Sequence, residues 1–117
     1  METQGKKKVV IFASGAGSNA KAIIEYFKGH SKIEISLVVT NRKEAKVLDI
    51  AKDNKIGTLY ISKAEWEQKE KVLEALASYD LIALAGFLLK IPDYLIEVFR
   101  NRIINIHPAL LPKFGGK

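Results

Sequence analysis

The sequence predicts an α/β domain: three layers built around a mainly parallel, Rossmann-like sheet. Three observations carry that expectation. Five apolar runs of strand length alternate with four segments whose apolar residues recur at helical spacing, the pattern of successive βα units. The runs at residues 9–13 and 81–86 are continuously apolar, as in strands covered on both faces. Glycine, proline and small polar residues separate the segments.

In chain order, residues 1–7 form a flexible amino-terminal extension and a single domain fills 8–117. The strand at 9–13 runs into the turn Ser14-Gly15-Ala16-Gly17-Ser18-Asn19. Ala20, Ile23, Ile24 and Phe27 then mark a helix that Gly29 stops. The second strand covers 33–40, and a helix over about 44–54 buries Val47, Leu48 and Ala51. A short strand follows at 58–61. Ser62 caps one continuous helix that turns Trp66, Leu73, Leu76 and Ala77 inward and carries Glu65, Glu67, Lys69, Glu70 and Lys71 outward. After the strand at 81–86 and an apolar loop at 87–91, Pro92 suits the first turn of a helix with Leu95, Val98 and Phe99 on one face. The last strand spans 103–107.

The totals narrow the classes. A chain of 117 residues is about one small domain. No apolar run approaches the ~20 residues that span a bilayer. The opening METQGKKK has no hydrophobic signal region, which points to the cytoplasm. With no cysteine there is no disulfide framework or thiolate metal site, and His30 and His107 are too separated for a zinc cluster. A formal charge of +6 favours anionic ligands. The lysines are spread along helices and not interleaved with aromatics, so a phosphorylated small molecule suits them better than nucleic acid.

In open α/β sheets, ligands bind beyond the carboxyl ends of the strands. Those ends carry the glycine-rich turn, Asn41-Arg42, residues 86–91, and Asn105 to Pro108. Asn105 and His107 are two apart on an extended strand and so face one side, with Ile104 and Ile106 packing on the other. An imidazole that trades protons near neutrality beside an amide donor suits acyl-type chemistry. Gly15-x-Gly17-x-x-Ala20 also matches a loose dinucleotide fingerprint. The second strand ends in Thr40-Asn41-Arg42, with no carboxylate for a ribose. An NADP-binding module, with Arg42 on the extra phosphate, is therefore the rival of another class. Ser18 and Asn19 at the helix start suit a single phosphate monoester better.

Taken together, Ser14-Gly15-Ala16-Gly17-Ser18-Asn19, Ala85-Gly86-Phe87 and Asn105-Ile106-His107-Pro108-Ala109-Leu110-Leu111-Pro112-Lys113 resemble the phosphoribosylglycinamide formyltransferases, folate-dependent enzymes of purine synthesis. The resemblance runs from about Lys8 to the end. Formyltetrahydrofolate deformylases share much of the pattern but usually carry an additional amino-terminal regulatory domain.

The resemblance implies that Gly17, Ser18 and Asn19 hold the phosphate of 5-phosphoribosylglycinamide. It implies that Leu88, Leu89, Lys90 and Ile91 line the pocket for 10-formyltetrahydrofolate, with Asn105 at the formyl group and His107 as proton donor. The family commonly has an arginine reaching the folate where Lys69 is the matching residue here; lysine keeps the charge without the planar fork. The family's proteins continue for roughly another 70 to 100 residues, about a half-domain, and that part supplies an aspartate beside the histidine. The expectation is an amino-terminal part, incompetent alone, whose exposed edge beside the fifth strand pairs with the rest of the enzyme or with a second copy.

Overall fold

The computed structural model of the protein describes residues 6–15, 17–87 and 89–105. Five strands form one sheet: β1 (Lys7–Phe12), β2 (Ile33–Thr40), β3 (Gly57–Tyr60), β4 (Leu81–Leu84) and β5 (Ile103–Asn105), in the order β3-β2-β1-β4-β5. Each neighbouring pair is parallel. The helices are α1 (Ser18–Phe27), α2 (Val47–Asp53), α3 (Lys69–Leu76) and α4 (Asp93–Val98). The expected three-layer α/β architecture is therefore present. β1 starts at Lys7, two residues before the strand expected at 9–13, and the Lys7 N–H donates to the Lys32 carbonyl at 2.8 Å. Among the described residues, no helix is long and apolar enough to cross a membrane.

The strand order positions the site. From β1 the chain steps outward to β2 and β3, then returns past β1 to β4 and β5. The connections diverge between β1 and β4, leaving a crevice at their carboxyl ends. One sheet face packs Val9, Ile11, Val38 and Ala83 against α1 and α2; the other packs Val10, Phe12, Val39 and Ile82 against Trp66, α3 and α4. Asp80 pins β4 to β1 at their amino ends. Its N–H donates to the Lys8 carbonyl at 2.8 Å, and its Oδ2 accepts from the Lys8 N–H at 2.7 Å.

Simple alternation would put Ile33, Ile35, Leu37 and Val39 on one face of β2. The pairing instead jumps from Val9↔Ile35 to Val10↔Leu37. Ser36 is the extra residue of this bulge, and it moves the later odd-numbered residues to the opposite face. Ile33 and Ile35 pack with α1 and α2, whereas Leu37 and Val39 pack with α3 and α4.

Local expectations needed revision at four places. The helix expected to begin near residue 44 starts at Val47, and Leu48 is only half buried. The helix expected from Ser62 onward is two pieces, a 3-10 turn at Glu65–Glu67 and α3, broken at Gln68 (φ −90°, ψ 80°). Ser62 does cap the first piece: its Oγ accepts the Glu65 N–H at 3.2 Å, and Glu65 Oε1 accepts the Ser62 N–H at 2.8 Å. The break resets the helical phase, so Val72 and Leu76 are buried, Leu73 is half buried and Ala77 is exposed. In α4, Leu95 and Phe99 are buried one turn apart while Val98 is 48% exposed. Ile104 pairs with Ala83 on the α1–α2 face but is 42% exposed, because β5 is an edge strand and no described element packs over it there.

Candidate active site

The β1 end of the site is fixed by buried polar groups. Ser14 and Thr40 are fully buried just where the strands stop. Ser14 Oγ donates to Asn41 Oδ1 at 2.6 Å, tying the carboxyl ends of β1 and β2 together. Thr40 Oγ1 accepts the Arg42 N–H at 3.2 Å and shapes the next turn. No motif in the sequence marks this link. Polar residues closing two apolar runs were its only trace.

Gly17 precedes α1 with φ 88° and ψ 11°, the left-handed region. A Cβ there would lie 2.9 Å from Val47 Cα, Val47 Cβ and Ile50 Cδ1. Glycine is thus required twice, by its dihedral and by the approach of α2. Among the described residues no side chain caps the helix start, and no acidic residue sits in its first turn. Its first N–H groups, with the positive end of the helix dipole, form an environment for an anion. Ser18 and Asn19 are both exposed there.

The loop after β4 meets this turn across the crevice. Gly86 has φ 75°, and a Cβ on it would stand 3.7 Å from Asn19 Nδ2. Ala85 N–H donates to the Phe12 carbonyl at 2.9 Å, extending the β1–β4 pairing up to the loop. Phe87 then turns back onto the core, its ring centroid 5.2 Å from Phe12 and 5.7 Å from Trp66. Trp66 and Phe12 are 5.5 Å apart, which completes an aromatic trio beneath the loop. The Tyr94 hydroxyl donates to the Trp66 carbonyl, and burial raises the pKa of that phenol. Trp66 Nε1 is buried without a hydrogen-bond partner among the described residues. Trp66 is a packing residue, as its position in the sequence suggested.

Of the expected folate-pocket residues, Leu89 and Ile91 are half buried and pack on the core, while Lys90 is exposed. Ile91 also borders an open cavity of about 560 Å³ with Leu84, Ile96, Phe99 and Ile103. Asn105 ends β5, exposed and in register with Leu84. It shares a face with Leu84 and Phe12, two strands from the glycine turn. Lys69 is the exposed first residue of α3, on a groove formed with Gln68, Glu70 and Lys71. Leu88 and His107 lie outside the described residues. The fold thus brings Asn19, beside Gly17 and Ser18, up to Gly86 of the β4 loop and puts Asn105 beyond it at the carboxyl end of β5.

Comparison with known proteins bears on the family and the fold. A profile described as formyl transferase matches residues 7–117. The chloroplastic phosphoribosylglycinamide formyltransferase of Arabidopsis thaliana is 40% identical over 120 residues, covering 96% of this chain and 41% of that protein. The phosphoribosylglycinamide formyltransferase of Bacillus subtilis is 37% identical over 117 residues, covering 94% of this chain and 60% of its own length. The crystal structure of phosphoribosylglycinamide formyltransferase from Anaplasma phagocytophilum superposes with a TM-score of 0.76 at 36% identity, covering 93% of this chain and 53% of that one. This chain therefore spans about two fifths to three fifths of the length of these relatives. With the match running from β1 through every element described, the chain belongs to the formyl transferase family.

Proposed function

We propose that this chain supplies the phosphate-binding part of an enzyme that transfers a formyl group from 10-formyltetrahydrofolate to the amine of 5-phosphoribosylglycinamide, a step of purine synthesis. The observation that carries the reading is the approach of Asn19, in the first turn of α1 after Gly17, to Gly86 at the carboxyl ends of β1 and β4. An anion site and a second loop there flank one space, on the edge where Asn105 ends its strand. Family membership supplies the reaction class.

Gly17, Ser18 and Asn19 hold the substrate phosphate, so the glycinamide amine is presented towards β5. The amine attacks the formyl carbon, forming a C–N bond while negative charge grows on the formyl oxygen. The Asn105 amide donates to that oxygen. His107, protonated, gives its proton to the departing folate nitrogen as the old C–N bond breaks, and regains one from the attacking amine. No covalent enzyme intermediate is needed. Leu88, Leu89, Lys90 and Ile91 form the wall for the folate ring, and Lys69 meets the anionic tail. Removing an oxyanion donor typically lowers kcat about 10²–10³-fold, the effect expected of Asn105→Ala.

Calorimetry on the full-length protein with 5-phosphoribosylglycinamide and with NADP tests the reading. Binding of the ribonucleotide and not of NADP is expected. Binding of NADP alone would overturn it in favour of a nucleotide-binding module.

A further inference from the structure

The connection from β2 to α2 is strongly basic beyond Asn41. It carries Arg42, Lys43 and Lys46 against a single carboxylate, Glu44. Between it and the loop after β1 lies an open cavity of about 350 Å³ bordered by Ser14, Gly15, Arg42, Glu44, Ala45 and Lys46. That is within the range of small-ligand sites, ~300–1,000 Å³.

The wall of this cavity is held from below. The Ser14–Asn41 hydrogen bond joins the two loops at their roots. Arg42 is fixed on both sides of its backbone, its N–H donating to the buried Thr40 Oγ1 and its carbonyl accepting the Ala45 N–H at 3.2 Å. Gly17 is wedged on Val47 and Ile50, so the start of α2 and the glycine turn keep a fixed spacing. At Gly15, the space where a side chain would stand is empty to 4 Å, and the backbone itself borders the cavity. The two cations of the wall thus face a bare stretch of loop backbone just before the expected phosphate site.

We propose that Arg42, assisted by Lys46, forms the second wall of the phosphate site, contacting a phosphate monoester from the α2 side while Ser18 and Asn19 contact it from the α1 side. The inference rests on the phosphate-binding reading above and adds a specificity-determining residue to it. A phosphate monoester carries close to two negative charges at neutral pH. Arginine's fork suits its oxygens, and lysine supplies a point charge. Glu44 opposes the ligand, so the three side chains have predictable and opposite signs.

The test is binding of ribose 5-phosphate, with unphosphorylated ribose as control, to the full-length protein and its variants at two salt concentrations. Arg42→Ala is expected to weaken ribose 5-phosphate binding about 10-fold or more. Arg42→Lys should recover part of that loss, and Lys46→Ala should cost about 2- to 5-fold with a shallower salt dependence. Glu44→Gln should tighten binding, an effect that mere loss of structure would not produce. If the unaltered protein ignores ribose 5-phosphate, the phosphate-binding reading fails and takes this inference with it. If the unaltered protein binds and Ser18→Ala weakens binding while Arg42→Ala and Glu44→Gln leave it unchanged, the inference alone is overturned.

Discussion

The loops after β1 and β4 face each other across one crevice, and each turns on a glycine with positive φ, 88° at Gly17 and 75° at Gly86. Their surroundings differ. Gly17 is buried, and a Cβ there would meet three atoms of α2 at 2.9 Å. Gly86 is exposed, and its nearest neighbour, Asn19 Nδ2, would be in ordinary contact at 3.7 Å. Gly17, at the start of α1, is held against α2, and a buried hydroxyl ties the end of β1 to the end of β2. The β4 loop is anchored by Phe87 on one side and opens on the other towards the cavity beside Ile91 and the exposed Ile96. A rigid loop suits a phosphate, whose oxygens reward donors fixed in advance. The open one suits a larger, flatter ligand whose walls come from several elements.

Substitution at the two glycines should separate them most strongly. Gly17→Ala combines left-handed strain of about 1–2 kcal/mol with overpacking of about 1–3 kcal/mol, so about 2–5 kcal/mol of stability should be lost in urea unfolding. Gly86→Ala carries only the strain, about 1–2 kcal/mol. Equal losses would mean that the contact with α2 does not constrain the first loop. Ser14→Ala removes the donor to Asn41 Oδ1 and should cost about 1 kcal/mol, read by the same unfolding. A larger share of its effect should appear in phosphate-ligand binding, because it loosens the root of the rigid loop.

Beneath the open loop, Trp66→Phe keeps a ring between Phe12 and Phe87 while deleting an indole N–H that has no partner among the described residues. An orphaned buried donor costs about 1–3 kcal/mol, which offsets the lost apolar area, so the change should stay within about 1 kcal/mol. A much larger loss would show that the N–H has a partner in solution.

The smallest effect concerns Glu65. The Ser62 backbone N–H and then its hydroxyl, with Lys71 nearby, hold its carboxyl below the usual range. A lowered folded pKa gives stability that is full above the ordinary carboxylate range and disappears as pH falls through the lowered value. The Tm difference between the wild type and Glu65→Gln should therefore shrink on acidification. A difference that grows would reverse the assignment.

Much of this arrangement can be read from residue order alone. Continuous apolar runs such as Val9 to Ala13 mark strands covered on both sides, and parallel strands place their connecting loops on predictable edges. That is enough to bring Gly17, Ser18, Asn19, Gly86 and Asn105 to one side of the molecule. What escapes is anything set by register or by a neighbour distant in sequence. The bulge at Ser36 reassigns faces along β2, and no composition marks it. The break at Gln68 changes which α3 residues are inward, since periodicity cannot show where a helix restarts its phase. Val98 and Ile104 look like core residues in sequence but are exposed in the fold, because no described element packs over them. The Ser14–Asn41 bond spans 27 residues and exists only once β1 and β2 are paired.

The proposed function divides the labour: the glycine turn binds the ribonucleotide and the end of the β5 segment acts on the reacting centre. Steady-state kinetics of the full-length protein tests it most directly, with Ser18→Ala and His107→Ala compared at varied 5-phosphoribosylglycinamide and saturating 10-formyltetrahydrofolate. Ser18→Ala should raise KM for the ribonucleotide by about 10-fold, as for loss of a hydrogen bond to a charged group, with kcat little changed. His107→Ala should lower kcat by about 10²–10⁴-fold, the range for a general acid–base group, with ribonucleotide affinity nearly intact. If both variants weaken only ribonucleotide binding and leave kcat alone, the division of labour is wrong.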